Sequence, residues 1–230
     1  MIFISEIGMN YNGNINLCYE LIKQSKYSGA DIVKFQIGWR DKDGEINNLT
    51  EDKIKKLIEW SKYFEIQIMF SIISNDGFEK LKNYEFSDYK IASRTVKHDI
   101  DLAKKILDLK KNTFVSLGMS DKENPPKELS SYKNIKYMWC KSEYPTDLDD
   151  LKDFPKDFKK TFFTGYSDHS IGIEMPLLAI SRGASVIEKH FTLDKSDQTI
   201  RDHTLSATPD EFGSMTKIGR DIFNKLKLGI

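Results

Sequence analysis

Asp31-Ile32-Val33-Lys34-Phe35-Gln36 is a short β-branched and aromatic run, and ahead of it Leu17, Leu21, Ile22 and Ser25 recur at helical spacing before Gly29-Ala30. A helix-period segment that ends on glycine and leads into a strand is the repeating unit of a parallel sheet. Gly183-Ala184-Ser185 repeats the arrangement ahead of Val186 to Lys189. Strand-like runs occupy residues 2–5, 31–36, 66–70, 88–92, 113–117, 135–140, 161–165 and 185–189, and helical spacing appears between them, as in Ile54, Leu57, Ile58 and Ser61, or Ala103, Ile106 and Leu107. The runs begin about 22 to 35 residues apart, one βα unit each, and parallel strands need crossovers of this kind. Eight units predict a closed (β/α)₈ TIM barrel forming one domain over residues 1–230. An open doubly wound sheet also alternates, but six strands are more usual there and no GxGxxG follows the first strand. The last helix has the clearest start, with Thr208, Pro209 and Glu211 supplying an N-cap, a first-turn proline and a capping box before Phe212, Met215, Ile218 and Ile222.

The 230 residues are 39% hydrophobic, enough for one sizeable core and few for two ordinary domains. Lys plus Arg (35) balance Asp plus Glu (35), so no global field draws in nucleic acid or an anionic membrane, and neither is expected as a partner. No apolar run approaches the roughly 18 to 20 residues of a membrane span, and the start Met1-Ile2-Phe3-Ile4-Ser5 lacks the basic flank and length of a signal peptide. Cys18 and Cys140 lie far apart with no CxxC, which argues against a disulfide framework or structural zinc. The expectation is a cytoplasmic chain.

In a barrel the strand C-termini form the active face. Polar residues concentrate there: Glu6, Asn10 and Asn12 after strand one; Lys34 and Gln36 on strand two; Lys90, Ser93 and Arg94 at strand four; Ser142, Glu143 and Tyr144 after strand six; Ser167-Asp168-His169 at strand seven; Glu188-Lys189-His190 at strand eight. Most of these ionisable groups are expected to converge on one mouth. His169 and His190 would cap adjacent strands about 4.8 Å apart, which suits joint coordination of one divalent ion such as Mn²⁺, although each could instead hydrogen-bond loop backbone. His98 is expected near a helix start on another face, and His203 is undecided. Lys34 and Lys90 inside apolar strands require an anion, either a phosphate or carboxylate ligand or a buried partner such as Glu6 or Glu188. Glu6 could serve as general base, hold a metal-bound water or form a structural ion pair. Tyr144-Pro145-Thr146 breaks the chain after strand six and could set a phenol over a polar ligand; Cys140 reads as a small buried hydrophobe.

Glu6-Ile7-Gly8 with Asn10 and Gly13, then residues 29–36, resembles the opening of the sialic acid synthase family. The resemblance continues in family order through Lys90-Ile91-Ala92-Ser93, Ser116-Leu117-Gly118-Met119, Tyr144-Pro145-Thr146, residues 165–170, residues 183–192 and Asp202-His203. It implies condensation of phosphoenolpyruvate with an open-chain N-acetylated hexosamine, typically N-acetylmannosamine, to a nine-carbon 2-keto sugar acid and phosphate, with Mn²⁺, Mg²⁺ or Co²⁺. By motif match His169 and His190 are the metal ligands, Glu6 the catalytic carboxylate, and Lys34, Lys90, Ser93 and Ser167 the holders of phosphoenolpyruvate. Gln36, Tyr144 and Asp202 match sugar-contacting positions, and Ser142 stands at a substrate-binding position where asparagine is usual. The family is usually dimeric.

The departures concern mainly the sugar. The family's small C-terminal antifreeze-like domain, which gives a partner's site an arginine, is not seen in these 230 residues, and the segment from Gln36 to Ile66 is short. Thr95 stands for a sugar-binding glutamate and Arg94 for a glycine, while Phe70-Ser71-Ile72-Ile73 replaces Ser-Thr-Pro and Tyr11 a common histidine. Retained phosphoenolpyruvate and metal binding with altered sugar preference is the resulting expectation, with Arg94 as a new positive group. Synthesis with another aldose, and a barrel without turnover unless a partner supplies the domain, are the alternatives.

Overall fold

The computed structural model describes residues 1–229. Eight strands, β1 (Ile2–Gly8), β2 (Ile32–Ile37), β3 (Gln67–Ile72), β4 (Asp88–Ile91), β5 (Asn112–Ser116), β6 (Ile135–Cys140), β7 (Phe163–Asp168) and β8 (Val186–His190), pair in chain order, and β8 closes on β1. Every pairing is parallel. The helices are α1 (Ile15–Tyr27), α2 (Glu51–Tyr63), α3 (Asn75–Leu81), α4 (Ser93–His98), α5 (Ile100–Leu107), α6 (Glu174–Ser181), α7 (Asp202–Leu205) and α8 (Pro209–Lys227). The (β/α)₈ expectation holds, and Gly29 and Gly183 leave their helices at φ +84° and +95°, values open to glycine. The capping box at α8 is formed: Glu211 N donates to Thr208 Oγ1 (3.3 Å) and Thr208 N to Glu211 Oε2 (2.9 Å).

Two connections depart from strict alternation. Between β5 and β6, and between β6 and β7, the chain makes only 3₁₀ turns at Lys127–Leu129, Leu148–Asp150 and Phe158–Lys160. Pro125, Pro126, Pro145 and Pro155 fall in these segments, and a proline removes a helix donor and clashes with the preceding turn. Leu129, Leu151, Phe154 and Phe158 from the same segments are buried, so loops cover the barrel wall where helices are missing. Strands β1, β7 and β8 also run further toward the mouth than the sequence runs predict, because pairing with both neighbours continues the ladders through Glu6, Ser167 and His190.

Side-chain alternation divides the barrel into layers. Ile4, Ile32, Met69, Phe114, Met138 and Val186 point inward and form an apolar plug. Two residues further along the same strands stand Glu6, Lys34, Ser71, Ser116, Cys140 and Glu188, which line the cavity above. The outward residues, including Phe3, Val33, Phe35, Phe70, Val115, Trp139 and Ile187, belong to a single core with the surrounding helices. Each such burial contributes about 1.5–3 kcal/mol against leaving the side chain in water. Among the described residues no helix is long and apolar enough to cross a membrane.

Candidate active site

A cavity of about 710 Å³ opens at the C-terminal ends of the strands. Glu6, Lys34, Gln36, Lys90, Ser93, Ser142, Tyr144, Ser167, His169, His190 and Asp202 all line it, so the structure brings these eleven sequence-derived candidates to one place. Parallel register is the cause: Glu6 stands opposite Lys34 on one side and His190 on the other, and Ser167 stands opposite Glu188.

The floor is a chain of four buried charges. Lys34 Nζ lies 2.8 Å from Glu6 Oε2 and 3.4 Å from Glu188 Oε2, and Lys90 Nζ lies 3.0 Å from Glu188 Oε1. Ser167 Oγ donates to Glu188 (2.7 Å), Lys90 donates to Ser116 Oγ (2.8 Å), and Gln36 Nε2 donates to Glu6 Oε1 (2.7 Å). Both lysines therefore have carboxylate partners within the protein. Burial raises the Glu6 carboxyl above its ordinary range, opposed by Lys34. Glu188 goes the other way: burial opposes its charge, but Lys34 and Lys90 together outweigh it and hold the group ionised. For Lys34 burial is outweighed by Glu188 and Glu6, which raise it, whereas burial prevails at Lys90 and lowers it.

His169 and His190 face each other with ring centroids 5.5 Å apart, and Tyr144 packs 4.2 Å from the first. His169 Nδ1 lies 2.6 Å from the Lys141 carbonyl, which only accepts, so Nδ1 carries the proton and the Nε2 lone pair is left free. His190 Nδ1 is buried without a hydrogen-bond partner, 4.0 Å from Asp202 Oδ2. Burial lowers His169 to about 4 and His190 to about 3, so both rings are neutral near pH 7. A free Nε2 and an orphaned Nδ1 on facing neutral imidazoles fit an open divalent-metal site in which the remaining ligands are water or substrate. Among the described residues no cluster of three or more His, Cys, Asp and Glu forms a closed cage.

Several expectations are corrected. Asp168 and Lys189 do not enter the mouth; alternation turns them outward, where Lys189 Nζ meets Asp168 Oδ2 at 2.5 Å with both side chains fully buried. Tyr166 and Ser170 also donate to Asp168 Oδ1 (2.6 and 2.7 Å). Asn10 and Asn12 likewise leave the cavity, Asn10 for Phe191 O and Ser206 Oγ (2.9 Å each) and Asn12 for Asp197 (2.5 Å). Buried His203 joins Thr192 Oγ1 (2.7 Å) and Asn12 Oδ1 (2.9 Å), and thereby ties α7, which begins at Asp202, to the β1–α1 loop. His98 is exposed at the end of α4 and directly precedes Asp99, the N-cap of α5, so it does lie near a helix start. Thr95 is buried and directs its hydroxyl to the Ile72 carbonyl (3.3 Å), away from the cavity. Trp39, Arg40 and Arg201 line the rim and were not singled out; they lie in loops, where no strand period marks direction.

Fold and site together define a (β/α)₈ barrel with its polar mouth at the strand C-termini. Residues 44–229 match the NeuB family, and the chain belongs to that family. It is 33% identical to a pseudaminic acid synthase of Campylobacter jejuni, over 92% of this chain and 71% of that protein. It is 29% identical to an N,N'-diacetyllegionaminic acid synthase of the same species, over 100% of this chain and 78% of the relative. A crystal structure of an N-acetylneuraminic acid synthetase from Leptospira borgpetersenii superposes with a TM-score of 0.86 at 28% identity, covering 98% of this chain and 84% of that one. These relatives are synthases of sialic-acid-type sugar acids.

Proposed function

We propose that the chain condenses phosphoenolpyruvate with an N-acetylated hexosamine, N-acetylmannosamine or a relative, to a nine-carbon 2-keto sugar acid and phosphate. The observation that carries this reading is the four-charge floor beside two facing neutral imidazoles. Lys34 and Lys90 hold the phosphate and carboxylate of phosphoenolpyruvate, with Ser93 and Ser167 as hydroxyl donors, and Glu188 sets the spacing of the two ammonium groups. C3 of phosphoenolpyruvate forms a bond to the sugar aldehyde carbon, whose oxygen takes up a proton. Glu6, its carboxyl raised by burial, accepts a proton from the water that adds at C2, and phosphate then leaves from the resulting hemiketal. A divalent ion such as Mn²⁺, held by His169 and His190, supplies Lewis acidity toward the aldehyde oxygen when bound. Gln36, Ser142, Tyr144 and Asp202 orient the sugar, and the apolar plug keeps bulk water from below.

Phosphate release from phosphoenolpyruvate, measured with Mn²⁺ and N-acetylmannosamine, tests the reading. Release that requires sugar and metal, and that falls at least about 100-fold in His190→Ala, is expected. Release that persists without sugar, or survives His190→Ala, would count against it.

A further inference from the structure

The chain contains thirty lysines and five arginines, and three of the five arginines line the active-site cavity. Arg220 is engaged by Asp31 (3.0 Å) and the Gly29 carbonyl (2.9 Å), and Arg182 donates to the Pro155 carbonyl (3.1 Å). At the rim, Arg201 lies 3.6 Å from Asp202. Arg40 and Arg94 differ: among the described residues neither has a carboxylate within 4.0 Å, and neither guanidinium makes a hydrogen bond. Elsewhere in the cavity the charges are matched, Lys34 and Lys90 by Glu6 and Glu188 on the floor, Glu143 by Lys141 at 3.5 Å and Asp202 by Arg201. The unmatched formal charges are thus two guanidinium groups of one sign.

Arg94 is held at its side chain and Arg40 at its backbone. The Arg94 guanidinium lies 4.1 Å over the Trp39 ring, which covers one face and leaves its in-plane N–H donors outward. Arg40 follows Trp39 at φ +52°, and Asn47 pins that loop by donating from its backbone to Arg40 O (3.0 Å) and from its side chain to Gln36 O (3.1 Å) and Trp39 O (2.9 Å). Tyr11 fixes Asn47 in turn, through OH to Oδ1 at 2.7 Å. Arg40 and Arg94 follow β2 and β4, whereas His169 and His190 lie at β7 and β8; in an eight-strand barrel β3 stands opposite β7 and β4 opposite β8. Arg94 therefore follows the strand opposite β8, which carries His190, and Arg40 reaches the rim next to Trp39, over which Arg94 lies.

We infer that the acceptor sugar carries an anionic group, a phosphomonoester or a carboxylate, at the end remote from its reacting carbon, and that Arg40 and Arg94 bind that group beside Trp39. This rests on the synthase reading above. A chain that uses lysine for general positive surface has placed its planar, bidentate cations where a carboxylate or phosphate would be read by geometry.

The test compares N-acetylmannosamine, its 6-phosphate and the corresponding uronic acid as acceptors in the wild type, in the double variant Arg40→Ala/Arg94→Ala and in Arg94→Lys. One charged acceptor should exceed the neutral sugar in kcat/KM, and the double variant should lower that preference about 10- to 100-fold, the size of one or two charge-assisted hydrogen bonds. Arg94→Lys should restore part of it, and whichever acid wins identifies the anion. A neutral sugar used at least as well as both acids, a preference unmoved by the double variant, or a rise confined to the KM of phosphoenolpyruvate would overturn the inference. If no acceptor is turned over, the synthase reading fails separately, and calorimetry with N-acetylhexosaminitol 6-phosphate, which has no aldehyde, decides: binding at least about 10-fold weaker in the double variant keeps the anion site, and equal binding removes it.

Discussion

Asp168 and Lys189 are each the chain neighbour of a mouth histidine, yet they lie on the other side of the barrel wall. Their contact at 2.5 Å, with both side chains fully buried, sets the backs of β7 and β8 while His169 and His190 project from the fronts. Removing one partner of such a pair leaves a buried charge unmatched and costs roughly 3–5 kcal/mol. Asp168→Asn should lower the unfolding free energy in urea by about that amount. A loss below about 1 kcal/mol would show that Tyr166, Ser170 and the backbone suffice without the carboxylate charge. The pair was legible in principle. Inward Ser167 and His169 imply an outward Asp168, but a sequence in which nearly every strand end is polar invites the simpler reading that all such groups converge.

At the scale of elements, close packing of strands and helices makes two glycines opposite in kind. Gly165 on β7 pairs with Val186 on β8, and a Cβ there would run into the Val186 carbonyl oxygen and side chain, so Gly165→Ala forces backbone apart. Gly213 in α8 meets only the Ser28 Cα at 3.9 Å, so an added methyl fits. Gly165→Ala should destabilise by at least about 1–3 kcal/mol, whereas Gly213→Ala should stabilise by about 0.5–1 kcal/mol through helix propensity. Equal effects in thermal unfolding would contradict this account. The eight strands and the α8 cap were readable because short β-branched and aromatic runs and a capping box are local signals. The bare wall between β5 and β7 was not, since buried Leu129, Leu151, Phe154 and Phe158 cover it from loops that carry no helical period.

For the whole molecule, two histidines buried in neutral form link stability to pH. Their unfolded pKa is near 6.5, while burial holds them at about 4 and 3 in the folded chain. The unfolded state therefore binds more protons below neutrality, and stability that is complete above about pH 6.5 is lost as pH falls toward 4. In EDTA, the urea midpoint should drop from pH 7 to pH 5, and His169→Gln/His190→Gln should flatten the slope. An unchanged slope in that variant would place the titration elsewhere. The convergence of eleven candidate residues on one cavity was foreseeable from strand order alone, because a closed barrel sends every strand end to one rim. The unmatched arginines at that rim were not, since pairing is visible only in three dimensions.

The barrel closes by joining its first strand to its last, and Glu6 meets His190 across that seam. During synthesis β1 must keep an unpaired edge until residue 190 has left the ribosome, a long exposure for a parallel strand. The proposed base and one proposed metal ligand are strangers until then. Turnover would thus report ring closure itself, and a nascent or nicked chain that has lost only this seam would be well structured over most of its length and inert.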